Sequence, residues 1–158
     1  MGRAEAAVTE SYLRLRKRLD GPLPVPAWPQ GITPAAFDAV DPRLLHALLD
    51  EAFPGGLIAP FEDWYGNLTT DSEFDPALCV PALTGDGRVA GFVQCWTSGF
   101  VKDLAVAPGY RGQGLGAALM LHAFALFAAR GTPHVDLKVQ LAEAPARRLY
   151  ARLGMVEA

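Results

Sequence analysis

The sequence predicts an α+β fold built on a mainly antiparallel sheet with flanking helices, on three observations. Three strand-like runs follow one another at residues 78–84, 88–96 and 100–106. Gly85-Asp86-Gly87 and Thr97-Ser98-Gly99 separate them, which reads as a meander of two hairpins. The third run leads through a glycine-rich turn into a long apolar stretch at 114–130, then into the alternating Val135, Leu137 and Val139. That order is a β-α-β crossover. The third observation is size: 158 residues, 51% of them hydrophobic, supply one globular core but not two full domains.

The remaining elements follow from local signals. Over residues 4–19 the stripe Val8, Tyr12, Leu15 and Leu19 predicts an amphipathic helix. Arg14, Arg16, Lys17 and Arg18 then form its solvated face. Pro22, Pro24, Pro26 and Pro29 make 20–31 an extended strap. Residues 1–30 thus read as an appended helix and linker, and 31–158 as the main domain. A first strand is expected within 32–40, weakened by Pro34. Asp41 is an N-cap with Pro42 at N1, followed by Leu44, Leu45, Leu48, Leu49 and Ala52 at helical spacing. Residues 60–68 predict a short helix carrying Trp64. The 114–130 helix is apolar nearly all round and so buried; Gly131-Thr132-Pro133 ends it. Pro145 opens a last helix at 146–153, closed by Gly154, and 155–158 leave room only for a strand stub.

Composition narrows the function classes. A formal net charge of −3 gives no electrostatic case for nucleic acid. Cys79 and Cys95 lack zinc spacing, so no metal site is expected, and both read as buried free thiols. No signal-peptide pattern opens the chain. The apolar run at 115–129 is too short to span a bilayer and carries His122, so no membrane association is expected. The expectation is a cytoplasmic protein.

The chemistry concentrates in Leu104-Ala-Val-Ala-Pro-Gly-Tyr-Arg111-Gly-Gln-Gly-Leu-Gly116: strand, glycine-rich turn, helix start. Free N–H groups at a helix start hold phosphate well. No lysine follows Gly116, which excludes the P-loop pattern. Gly112, Gly114 and Ala117 meet the dinucleotide fingerprint, with Asp136 downstream. But Ala107 to Arg111 separate strand from first glycine, and three antiparallel strands precede it, which is wrong for a doubly wound sheet. Arg111-Gly-Gln-Gly114-Leu-Gly116, preceded by Leu104-x-Val106-x-Pro108-x-Tyr110, resembles the acetyl-CoA motif of the GNAT superfamily of N-acetyltransferases. Ala146-x-x-Leu149-Tyr150-x-x-x-Gly154-Met155 is similar to a second motif of that family, in the same order along the chain.

The resemblance implies a splayed central strand pair with acetyl-CoA in the gap. Leu104, Ala105 and Val106 would pair with the pantetheine arm. Arg111, Gly112, Gln113, Gly114, Leu115, Gly116 and Ala117 would hold the pyrophosphate. Tyr150 takes the position of the general acid; a phenol is protonated at neutral pH and can donate. Glu143 stands where the family often has asparagine, as a further cofactor contact. The acceptor would be a primary amine of a small molecule, an amino acid or a peptide N-terminus. For the base, counting by two from Leu104 puts Lys102 and Phe100 on the substrate face, and neither is an obvious base. Asp103 points away unless a bulge rotates it. Lys102 favours an acceptor that carries a carboxylate or phosphate. Glu62, Asp63, Asp71, Glu73 and Asp75 lie in the segment that usually shapes the acceptor pocket, and Trp64, Tyr65 and Trp96 are candidate aromatic lining. The family's last strand has no counterpart after Met155. Either a partner subunit supplies it, favouring a homodimer, or the N-terminal segment covers the edge. A CoA-binding sensor without turnover is the alternative function.

Overall fold

In a computed structural model, which describes residues 11–158, one seven-stranded sheet runs in the order β2-β3-β4-β5-β6-β1-β7. The strands are β1 (Tyr12–Arg18), β2 (Ile32–Pro34), β3 (Cys79–Thr84), β4 (Val89–Trp96), β5 (Phe100–Val106), β6 (His134–Gln140) and β7 (Val156–Glu157). The helices are α1 (Pro42–Ala52), α2 (Phe61–Thr70), α3 (Leu115–Ala129) and α4 (Ala144–Arg152).

The meander of β3, β4 and β5 forms as expected. Asp41 caps α1 by accepting from the Arg43 N–H at 3.0 Å. Both faces of the sheet are packed. Against α3 and α4 lie Val80, Ala82, Ala90, Val93, Cys95, Val101, Val135, Leu137 and Val139. Against α1 and α2 lie Cys79, Phe92 and Ala105, with Leu45, Leu49, Trp64 and Leu68. Gly91 sets the depth of α3 on β4. A Cβ there would stand 3.0 Å from Leu119 Cδ1 and 3.1 Å from the Ala105 carbonyl oxygen.

The N-terminal helix is corrected. Its described part, Tyr12–Arg18, is strand β1, paired with β6 in unbroken antiparallel register from Tyr12↔Gln140 to Arg18↔His134. Residues 1–10 lie outside the described residues. Leu13 and Leu15 point to the α3 core while Arg14, Arg16 and Arg18 point the other way. That period of two competes with the helical stripe, and burial of Leu13 and Leu15 beside β6 decides between them. Tyr12, counted as stripe, stays 47% exposed. The position beside β6, expected to need a partner strand or an N-terminal cover, is filled by β1, and the stub β7 pairs on β1's far side at Leu15↔Glu157 and Arg16↔Val156.

The proline strap then carries the chain from β1 to β2, at the other edge. Five strand spacings are about 24 Å, and an extended strap at ~3.1 Å per residue exceeds that comfortably. Leu23 and Trp28 pack on the core as it crosses, Trp28 edge-on to His122 at 5.7 Å. Both cysteines are free and buried. Cys79 faces α1 and α2 while Cys95 faces α3, so the sheet itself separates them. Burial pushes the Cys79 thiol up to about 12 and the Cys95 thiol up as well. Among the described residues, no helix is long and apolar enough to cross a membrane.

Candidate functional site

The site begins where β5 and β6 part. These parallel strands pair at one position, Phe100↔Asp136, with the Asp136 N–H donating to the Gly99 carbonyl at 2.8 Å. Gly99 has φ +93°, and a Cβ there would lie 2.9 Å from the His134 carbonyl oxygen. Only glycine lets the two strands start this close. Beyond Phe100 they diverge and leave β5 with an unpaired edge.

The ladder with β4 decides which backbone groups line that edge. The Ala107 N–H donates to the Ala90 carbonyl at 2.8 Å, and the register continues through Gly91↔Val106, Phe92↔Ala105 and Val93↔Leu104. In an antiparallel ladder alternate pairs exchange hydrogen bonds. Ala105 therefore turns its N–H and C=O toward β4, while Leu104 and Val106 turn theirs into the gap. Of the three residues expected to pair with a pantetheine arm, Leu104 and Val106 turn backbone groups into the gap, and Ala105 packs against the α1/α2 core.

The gap leads to the start of α3. Gly112 at φ +76° and Gly114 at φ +84° shape the turn. Gly114 is the N-cap, in the left-handed region and without a side-chain cap. The first helical bond runs from the Ala118 N–H to the Gly114 carbonyl at 3.0 Å, which leaves the N–H groups of Leu115, Gly116 and Ala117 without intrahelical partners. Arg111 Nε donates to the Val106 carbonyl at 3.0 Å, which ties the guanidinium to the rim of the turn. A Cβ on Gly116 would meet Leu149 Cδ2 at 3.4 Å, Val106 Cγ2 at 3.9 Å and Leu104 Cδ2 at 4.0 Å. At Gly116, then, α3, α4 and β5 converge. A row of free N–H donors, no Cβ at the two turn glycines and a cation at the rim suit a pyrophosphate.

Tyr150 is buried on α4, next to Leu149. Burial, helped by the charge of Glu143, pushes its phenol up to about 12. Glu143 is the N-cap residue of α4 and makes no side-chain cap bond.

The β5 face corrects the count by twos. A bulge lies between Gln94 and Cys95: Gln94 pairs with Asp103 and Cys95 with Val101, so Lys102 is the extra residue. Asp103 keeps the α1/α2 face of Ala105, opposite Leu104, as the count by twos has it, and the extra residue instead brings Phe100, the partner of Trp96, onto that face. Its side chain is 13% exposed, and Lys102 Nζ donates to it at 3.1 Å. Gln94 stands between Cys79 and Asp103 in one cross-strand row. It is wholly buried, and neither its Oε1 nor its Nε2 has a partner. A glutamine amid the apolar β4 was the signal for this polar spot, but only the register shows it beside Asp103.

The acidic segment mostly serves the fold. Asp71 accepts from the Glu73 N–H at 2.8 Å, and Glu73 from the Ser98 N–H at 3.1 Å. Asp75 accepts from the Ala77 N–H at 2.9 Å and from Arg130 Nη2 at 2.6 Å, which holds its carboxyl below the usual range. Glu62 and Asp63 lie in the first turn of α2. Trp64 is core, Trp96 packs against it, and Tyr65 stacks on Phe61 at 5.5 Å. A cavity of about 790 Å³ lies at the β2–β3 edge, lined in part by Phe37, Tyr65, Phe74 and Cys79, apart from the gap.

Asp136 is not a ribose ligand. It is 2% exposed and accepts from Arg14 Nε at 2.8 Å and from Arg16 Nε and Nη2 at 2.8 and 2.9 Å. The arginine bonds outweigh desolvation and bring its carboxyl down to about 2.

Residues 42–155 match the Acetyltransferase (GNAT) family. The chain is 42% identical over 88 residues to a mycothiol acetyltransferase of Clavibacter michiganensis subsp. michiganensis, covering 54% of this chain and 29% of that protein. It is 40% identical over 78 residues to the streptothricin acetyltransferase of Streptomyces lavendulae, covering 46% and 41%. It thus spans less than half the length of these relatives. The solved GCN5-related N-acetyltransferase from Sphaerobacter thermophilus superimposes with a TM-score of 0.82 at 31% identity, over 93% of this chain and 48% of that one.

Proposed function

Since the chain belongs to the GNAT acetyltransferase family, we propose that it moves an acetyl group from acetyl-CoA to the primary amine of a small molecule, amino acid or peptide N-terminus by direct attack. The observation that carries this reading is the gap itself. The strand edge bearing the gap-facing groups of Leu104 and the Val106 N–H, with the Val106 carbonyl held by Arg111, leads straight to the three unpartnered N–H groups of α3.

In this reading Leu104 and Val106 bind an extended amide chain as a further strand would. Leu115, Gly116 and Ala117, with Arg111 at the rim, take the pyrophosphate, and Gln113 lies in the turn between them. Bound acetyl-CoA supplies the thioester whose C–S bond breaks as the acceptor's C–N bond forms. Asp103 receives the proton that the amine nitrogen loses, and Lys102 orients its carboxylate. Tyr150 Oη gives a proton to the departing sulfur. Its raised pKa, about 12, keeps it a donor across the physiological range. Glu143 contributes to that elevation. The named activities of the two relatives, on mycothiol and streptothricin, support a small-molecule amine.

The test is calorimetric binding of acetyl-CoA together with CoA-thiol release over an amine panel. Tyr150→Phe is expected to lower kcat about 100-fold with acetyl-CoA affinity within about twofold, as for loss of a general acid. Asp103→Asn is expected to do the same. An unchanged kcat in either variant removes that residue from the reaction. Binding of acetyl-CoA with no turnover on any amine would replace acetyl transfer with a CoA-binding role.

A further inference from the structure

We infer that the uncovered half of the α1/α2 face, over β6 and β1, is an anion subsite for the acceptor, in which Arg14, Arg16 and Lys138 hold a carboxylate or phosphate carried by the amine. This rests on the acetyl-transfer reading and names its substrate class.

Position comes first. Phe100, Asp136 and Arg16 form one row across β5, β6 and β1. Two strand spacings put Arg16 about 10 Å from Phe100 along the sheet, on the face that Asp103 shares with Ala105 and Phe92. An amine held beside Asp103 therefore extends its remaining atoms over Phe100 toward β1.

Charge is the second argument. The chain carries −3 overall, yet among the described residues Arg14, Arg16 and Lys138 line this face of β1 and β6 against the one carboxylate of Asp136, with the Lys102–Asp103 pair beside them on β5. Arg14 and Lys138 are direct cross-strand partners. Like charges set opposite one another destabilise a sheet, so stability does not account for the pair. A ligand of opposite charge does.

Preorganisation is the third. Asp136 engages Arg14 through Nε alone and Arg16 through Nε and Nη2. Arg14 also lies over the Phe100 ring, its Cζ 5.4 Å from the centroid. Both guanidinium groups are thus fixed. Both Nη groups of Arg14 and Nη1 of Arg16 have no hydrogen-bond partner among the described residues. The Arg14 and Arg16 side chains remain 48% and 34% exposed. Fixed, outward N–H pairs are what a planar carboxylate or a phosphate binds.

The experiment compares matched amines, neutral, carboxylate-bearing and phosphate-bearing, by CoA-thiol release. It also compares them by calorimetric binding to CoA-loaded protein. The anionic amines are expected to exceed the neutral one at least tenfold in kcat/KM, with KM rising in added NaCl. Arg14→Gln and, separately, Lys138→Gln are expected to cut that preference about tenfold through the KM of the anionic amines. The carboxylate and phosphate arms show which anion the subsite takes. Lys138 makes no bond to Asp136, so its variant is informative even if Arg14→Gln loosens the strand. Equal kcat/KM for neutral and anionic amines overturns the subsite. So does a variant that slows all amines alike, which marks a structural role. If no amine releases CoA, the acetyl-transfer reading fails by itself. Equal or undetectable binding of the matched amines to CoA-loaded protein then overturns the subsite independently.

Discussion

The α1/α2 side of the sheet has two unlike halves. Over β3, β4 and β5 it is roofed by helices, and Cys79, Phe92 and Ala105 are sealed under Leu45, Leu49, Trp64 and Leu68. Over β6 and β1 the same side bears Arg14, Arg16, Lys138 and the buried carboxylate of Asp136, with the arginines partly open to water. The first half is made by the hydrophobic effect, the second by charges that fix one another's direction. The proposed chemistry lies on the seam, where the bulge at Lys102 brings Phe100 onto the face of Asp103 and the strands part. Stability and binding are thus assigned to different stretches of one sheet face, and substitutions in the two halves should behave differently.

The largest effect is expected in the roofed half. Phe92 is fully buried, and Phe92→Ala should cost about 3–5 kcal/mol, the range for emptying an aromatic core site. Urea melts would read this directly, and a loss under 1 kcal/mol would mean the roof is loosely packed. Asp136→Asn should cost less, about 2 kcal/mol, by leaving two arginines facing a neutral amide. Its pH signature separates it from a packing defect. The native Asp136 pKa is about 2 against an ordinary 3.8. A depressed pKa stabilises fully above the ordinary value, and that contribution, about 2 kcal/mol, disappears as pH falls from about 5 toward 2. Wild type should therefore lose stability over that interval by about 2 kcal/mol more than Asp136→Asn. Parallel acid profiles would dissolve the contrast between the halves. Smallest, and opposite in sign, is Lys138→Gln: relief of the Arg14 repulsion should raise stability by about 0.2–0.5 kcal/mol, visible as a rise in urea midpoint with unchanged slope.

The features legible in the sequence are those whose signals are local. The Asp41-Pro42 cap, the Gly85-Asp86-Gly87 hairpin, the β5 bounds and the apolar α3 each depend on neighbours within a few residues. So does the glycine turn, since the positive φ angles of Gly112 and Gly114 are a backbone need that the residue type declares. Misreadings arose where two patterns shared one segment. Residues 12–18 satisfy both a helical stripe and a strict alternation, and no local term separates them. Phe100 leaves the face of Leu104 because of a bulge that requires β4 as partner. Gln94 is conspicuous in the sequence only as a polar residue among apolar ones, and its neighbours on the row come from two other strands.

By itself, the sequence determined the main element types beyond residue 31, the glycine-rich turn and the family resemblance carried by residues 104–116 and 146–155. These rest on backbone preferences and on spacing along one chain. Tertiary structure alone decided that β1 lies between β6 and β7, that β5 and β6 separate after one pair, and that Arg14, Arg16, Lys138 and Asp103 share a face. The reason is physical: strand order, register and splay are set by which distant surfaces bury together, and that free energy has no representation in any local window of residues.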